Sequence, residues 1–145
     1  MIRRLFLGFV VVLFTASLVH AQMVSVARDK VNMRSGPGLS YSILWELGQG
    51  YPLQVIDRKG GWLKIKDFEN DVGWIHAKLV NNKAHLVVKK QRINIRSKPG
   101  LTSRVLGKAE YGEVLRTLKQ SNGWVQVKRE SGLTGWVKRD LVWGW

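Results

Sequence analysis

The sequence predicts an all-β protein built as two tandem small barrels. Three observations point there. The chain repeats itself: Val31-Asn32-Met33-Arg34-Ser35 before Pro37-Gly38-Leu39 returns as Ile93-Asn94-Ile95-Arg96-Ser97 before Pro99-Gly100-Leu101, and Gly61-Trp62, Gly73-Trp74 and Leu79-Val80 return as Gly123-Trp124, Gly135-Trp136 and Leu141-Val142, always 62 residues on. Within each copy the apolar residues recur at period two, the mark of a strand with one buried face. Between the apolar runs stand glycine, proline and asparagine clusters that make tight turns.

In chain order, the first segment reads as an address. Arg3 and Arg4 precede an apolar stretch from Leu5 to Val19, and Val19-His20-Ala21 suits a leader peptidase. Residues 1–21 are therefore expected to be a signal peptide cleaved after Ala21. The apolar run is shorter than the roughly 20 residues a membrane-spanning helix needs. The mature chain is expected to carry no transmembrane segment and to be periplasmic or secreted.

Residues 22–80 then form the first unit. Val31 and Met33 alternate with Asn32 and Arg34, and Leu53 and Val55 with Gln54. Leu63 and Ile65 alternate with Trp62, Lys64 and Lys66. Turns are expected at Gly36-Pro37-Gly38, Gly48-Gln49-Gly50, Arg58 to Gly61 and Asn70-Asp71. Four to six short strands per unit follow. So short an antiparallel set must curl to bury a face and hide its edges. Residues 81–83, Asn81-Asn82-Lys83, are the whole joint, which keeps the units close. Residues 84–145 form the second unit and end in Trp143-Gly144-Trp145, an aromatic tail expected to fold back on a barrel or across the seam.

Composition narrows the chemistry. There is no cysteine, which removes thiol catalysis, disulfides and cysteine-zinc sites. The formal net charge is +14. From Met23 to Val80, eight basic residues face six acidic ones; from Ala84 to Trp145, thirteen face four. An excess of that size gives either a solvated surface or attraction to an anionic polymer, strongest on the second unit. His76 and His85 lack metal-ligand spacing, and neither a nucleophile elbow nor a phosphate loop is present. Asp67, Glu69 and Asp71 alternate but are replaced by Arg129, Ser131 and Leu133, so they read as a polar hairpin tip. No metal, cofactor or catalytic residue is expected.

The ordered set of motifs resembles the bacterial SH3 family, or SH3b. Unit one supplies Asn32-Met33-Arg34-Ser35-Gly36-Pro37, Leu44, Gly50, Gly61-Trp62 and Gly73-Trp74-Ile75 with Leu79; unit two supplies Asn94-Ile95-Arg96-Ser97, Pro99, Leu106-Gly107, Gly112, Gly123-Trp124 and Gly135-Trp136-Val137 with Leu141. The match spans nearly all of residues 22–145. Two departures concern loops: Trp45 stands where unit two has Gly107, and Lys98 where unit one has Gly36. The resemblance implies two SH3-like β-barrels that bind rather than catalyse, in some exported proteins by holding cell-wall peptides.

Binding candidates follow from residue type. Arg34 and Arg96, with Asn32 and Asn94, either fasten the Pro-Gly loop or present a fork to a carboxylate. Trp62 and Trp124 share the polar face of their strands, a position for ligand contact or for half-burial against a loop. Tyr41 and Trp45, with Tyr51, give unit one an aromatic set absent from unit two, and Tyr111 does the same near the second unit's charge. Trp74 and Trp136 are expected to be core or barrel-closing residues. The expected partner is peptidoglycan, whose peptides carry carboxylates, or else an envelope protein. Charge with Trp124 and Tyr111 would also suit a polyanion, but an exported chain is not expected to meet nucleic acid.

Overall fold

The computed structural model describes residues 21–145. The expected leader lies outside the described residues except for Ala21. Two curled antiparallel sheets of seven strands follow one another along the chain. The first holds β1 (Gln22–Val26), β2 (Val31–Arg34), β3 (Ile43–Leu47), β4 (Pro52–Lys59), β5 (Trp62–Lys66), β6 (Val72–His76) and β7 (Val80–Asn81). The second holds β8 (His85–Val88), β9 (Arg92–Arg96), β10 (Val105–Glu110), β11 (Val114–Ser121), β12 (Trp124–Lys128), β13 (Thr134–Lys138) and β14 (Val142–Gly144). Short 3₁₀ turns, Ala77–Leu79 and Arg139–Leu141, precede β7 and β14. Among the described residues no helix is long and apolar enough to cross a membrane.

The strand order is β3-β2-β6-β5-β4-β1-β7 in the first sheet and β10-β9-β13-β12-β11-β8-β14 in the second. Position for position these are one topology, so the sequence repeat is a repeat of fold. Seven strands replace the anticipated four to six because each unit's opening strand and its last two or three residues also pair, β1 with β7 and β8 with β14. The longest strands carry a bulge at equivalent places, Val55/Asp57 in β4 and Thr117/Lys119 in β11. A bulge bends its strand and raises its twist, which lets one strand serve two sides of a curled sheet.

Alternation decides the core. Leu63, Ile65 and Ile75 point inward with Val31 and Met33, and Val125, Val127 and Val137 do so with Ile93 and Ile95. Each such side chain contributes roughly 1.5–3 kcal/mol when fully buried. The glycine before each second tryptophan allows close approach. A Cβ on Gly73 would stand 2.7 Å from Met33 Cγ, and one on Gly135 would stand 2.6 Å from Ile95 Cγ2 and 2.8 Å from the Arg96 carbonyl oxygen.

Asn81 belongs to β7, so Asn82, Lys83 and Ala84 separate the two sheets, and the units touch there. Ser25 Oγ, fully buried, donates to the Lys83 carbonyl at 2.7 Å. His85 Nδ1 lies 2.7 Å from the same oxygen, so it carries the ring proton, since a carbonyl only accepts. The His85 ring packs on Gly50, where an added Cβ would meet its Cδ2 at 2.8 Å. Beside this, Phe68 of the first unit meets Tyr51 at 6.3 Å and Tyr111 of the second at 5.4 Å between ring centroids. The aromatic tail folds back: β14 pairs with β8, and Trp145 N donates to the His85 carbonyl at 3.2 Å.

Candidate functional site

The side of β2, β5 and β6 turned away from the core gathers the candidate residues. Trp62 stands opposite His76, Lys64 opposite Trp74, and Trp74 opposite Arg34. Since Met33, Leu63 and Ile75 point inward, Asn32, Arg34, Trp62, Trp74 and His76 share the outer face. Of the two places expected for Trp74, core or barrel closure, this corrects the first: it is half-buried on the outer face. Trp136 is buried, but at the equivalent outer position, with the Lys119 ammonium 5.7 Å from its ring. Asp57 occupies that place in unit one and supplies no cation.

A groove of about 580 Å3 opens on this face. Asn32, Arg34 and Trp62 line it together with Arg28, Lys30, Leu39, His76 and Lys78. The Trp62 and His76 rings meet edge-on, 5.1 Å between centroids. His76 Nδ1 accepts from Lys78 N at 3.2 Å, capping the 3₁₀ turn and fixing the ring. Arg34 Nη1 donates to the Leu39 and Tyr41 carbonyls, each at 3.0 Å. It therefore fastens the Pro-Gly loop and borders the groove at once. Arg96 Nη1 makes the matching bond to the Ser103 carbonyl at 2.9 Å. The arrangement offers an aromatic floor among four permanent cations, which suits a carboxylate-bearing ligand with some apolar surface.

The other candidates lie elsewhere. Tyr41 folds its ring over Gly36, where any Cβ would collide with it. That explains one departure between the copies. Unit two has Ser103 in place of Tyr41, so Lys98 fits where Gly36 stands, and Ser103 Oγ bonds the Lys98 carbonyl at 2.8 Å instead. Trp45 is exposed on β3, an outer strand of its sheet, beside exposed Ile43 and Leu44. At the second departure, Gly107, a Cβ would meet Leu133 Cδ2 at 3.0 Å. Tyr111 packs at the seam, where loss of solvation and the Glu69 carboxylate push its hydroxyl pKa up. Asn94, Arg96 and Trp124 take the places of Asn32, Arg34 and Trp62 on unit two.

Charge is handled differently on the two units. All three ion pairs among the described residues belong to unit two: Arg92–Glu110 at 2.8 Å, Arg129–Glu113 at 2.7 Å and Lys138–Asp140 at 3.6 Å. Lys138 and Asp140 replace His76 and Lys78, and Arg92 replaces Lys30. Two of the cations at unit two's equivalent face are thus paired internally, whereas those of the unit-one groove are not. Charge counting favours unit two, but on the face that carries the tryptophan it is unit one whose cations are all unpaired.

Sequence reasoning missed Arg28, Lys30, His76 and Lys78 as groove residues. The signal for His76 was present, since it keeps the parity of Trp74 and opposes core residue Ile75. Its pairing with Trp62 needs the register, which alternation alone does not fix. The carboxylates Asp67, Glu69 and Asp71 form a turn: Asp67 Oδ1 accepts from the backbone N of Glu69 and of Asp71, each at 2.9 Å. No metal-holding group of His, Asp and Glu occurs among the described residues.

Residues 27–82 match one profile of the bacterial SH3 domain, and residues 92–142 match a second. The chain belongs to the bacterial SH3 domain family. It carries two such domains in tandem, as the two equal sheets show. The chain is 28% identical, over 97% of its length, to the "Putative N-acetylmuramoyl-L-alanine amidase YrvJ" of Bacillus subtilis, of which it spans 30%. Among solved structures, NlpC1 from Trichomonas vaginalis aligns over 88% of this chain and 47% of its own at 13% identity, with a TM-score of 0.39. An NlpC/P60 family protein from Bacillus cereus aligns over 86% and 56% at 14% identity, also with a TM-score of 0.39. The tandem SH3 chain thus spans about half of each solved neighbour, a likeness too loose to carry a functional relation.

Proposed function

We propose that this chain is an exported, non-catalytic binding module for cell-wall peptidoglycan, and that the Trp62 groove of the first SH3 domain receives a carboxylate-bearing wall peptide. One observation carries the reading: Trp62 is ringed by Arg28, Lys30, Arg34 and Lys78, none of them in an ion pair among the described residues. Arg34 would fork a carboxylate with the guanidinium edge not used on the loop, while Trp62 and Leu39 cover the peptide's apolar atoms. Membership in the bacterial SH3 family and likeness to an amidase named for a wall substrate support a wall location.

The test is co-sedimentation of Gln22–Trp145 with protein-free peptidoglycan at low and moderate salt. Saturable pelleting that survives moderate salt and is lost in Trp62→Ala supports the groove. Pelleting that vanishes with salt leaves charge acting alone. A second reading, an envelope protein adaptor, is favoured by exposed Ile43, Leu44 and Trp45 on β3, whose outer position leaves backbone groups for a partner strand. It predicts no binding to bare wall and loss of a protein partner in Trp45→Glu.

A further inference from the structure

The cleft between the two SH3 domains is separate from the Trp62 groove. It has a volume of about 600 Å3 and takes its walls from both domains, among them Asn81, Lys83, His85, Glu113, Arg116 and Lys128. That volume falls within the roughly 300–1,000 Å3 of small-molecule sites. Two of its features set it apart from the first domain.

One is a row of basic groups. Arg116 stands directly opposite His85 across β8 and β11, and opposite Lys128 across β11 and β12. Leu86, Leu115 and Val127 beside them are core, so His85, Arg116 and Lys128 share the outer face. Like charges directly opposed across strands destabilise a sheet. Neither Arg116 nor Lys128 has an ion-pair partner among the described residues. The first domain has Met23, Gln54 and Lys66 in the same row, so the barrel does not require the opposed pair of cations, Arg116 on Lys128.

The other is Glu113. Its Oε1 accepts from Arg129 Nη2 at 2.7 Å, while its Oε2 is buried without a donor. Arg129 Nη2 is already shared with the Lys108 carbonyl at 2.8 Å. A buried carboxylate oxygen left without a donor is costly. The position is Tyr51 in the first domain, so the carboxylate too is particular to this cleft.

The cleft thus sets two cations without an ion-pair partner beside Glu113, which has one oxygen unbonded, with Asp29 and Glu130 also in its lining, and groups of both signs in one cleft suit a zwitterion. We propose that the cleft between the domains binds the zwitterionic end of a short peptide, its ammonium donating to Glu113 and its carboxylate lying between Arg116 and Lys128. The site does not rest on the Trp62 groove, and the two can fail separately.

Calorimetric titration of Gln22–Trp145 with Ala-Ala, its N-acetyl form and its C-terminal amide tests this. Saturable binding of the free dipeptide is expected, weakened about tenfold or more by either cap and by Glu113→Gln or Lys128→Gln, since each removes one charged hydrogen bond. Trp62→Ala is expected to leave it unchanged. No saturable binding, equal binding of the capped peptides, or loss in Trp62→Ala would overturn the proposal. The capped ligands test it on the unaltered protein, whatever a variant does to folding. Comparing the D,D with the L,L dipeptide separates a wall-derived source from a protein terminus, both carrying the same charges.

Discussion

His76 meets Trp62 edge to face across β5 and β6, their centroids 5.1 Å apart. In the second domain the same place holds Lys138, 3.6 Å from Asp140. One pair thus furnishes an aromatic wall, the other an internal ion pair. On this difference rests the expectation that the first domain binds and the second contributes less.

Replacing Trp62 by Ala removes the aromatic floor. Since Trp62 is outside the core cluster, the fold is expected to hold, read as an unchanged β-sheet circular dichroism spectrum. Affinity for wall fragments is expected to fall about tenfold or more, as for a central aromatic anchor. Trp124→Ala is expected to change it less.

Reversing one charge in each domain tests the asymmetry. Lys78→Asp would place a carboxylate beside His76, as Asp140 lies beside Lys138, and is expected to weaken wall binding about threefold. Asp140→Lys frees Lys138 and is expected to strengthen binding by the second domain. Equal, opposite shifts in co-sedimentation would support the pairing argument; no shift in either would refute it.

The Gly36–Tyr41 contact predicts a coupled pair. Gly36→Lys alone drives a side chain into the Tyr41 ring and is expected to destabilise the loop. With Tyr41→Ser added, the loop reproduces Lys98 and Ser103, and a double-mutant cycle in denaturant is expected to give about 1 kcal/mol or more of favourable coupling.

Gly73→Ala is expected to cost about 2 kcal/mol through overpacking. The neighbours it meets are Met33 Cγ and, at 3.0 Å, the Arg34 carbonyl, and the backbone cannot yield as a side chain can. Thermal melts of the two-domain chain would show the loss.

Acid is expected to loosen the seam. Burial first, then the Arg116 and Lys83 charges, hold the His85 pKa below its ordinary 6.5, opposed by the Lys83 carbonyl bond. The folded state therefore favours neutral His85. This stability is fully present above 6.5 and is lost as pH falls from there through the lower folded value. The denaturant midpoint is expected to drop as pH falls below 6.5, and His85→Gln to flatten the drop. An equal drop in the variant would place the effect elsewhere.

Much of the fold was legible because its signals are local. Leu63 and Ile65 between Trp62, Lys64 and Lys66 announce both strand and buried face, and repetition at Trp124 to Lys128 doubles the signal. Trp74 misled because size and apolarity suggest the core, whereas parity with Trp62's neighbours across β5 sets it outside. Arg28, Lys30 and Lys78 were unreadable as site residues because they come from segments flanking β2 and following β6, and only closure of the sheet joins them. The charge count misdirected attention for a related reason: a sum over the second domain cannot distinguish Lys138 beside Asp140 from a free cation.

The antiparallel pairing of β1 with β7 has a mechanical meaning. Ser25 faces Asn81 and Val26 faces Val80, so the chain enters and leaves the first domain at the same edge, through two registered pairs. Tension applied between Gln22 and the joint would peel these pairs apart one after the other instead of shearing them together. The seam opens with the first of them, because Ser25 belongs to that pair and its hydroxyl is bonded to Lys83, just beyond Asn81. A domain connected in this way yields to small forces from its ends inward.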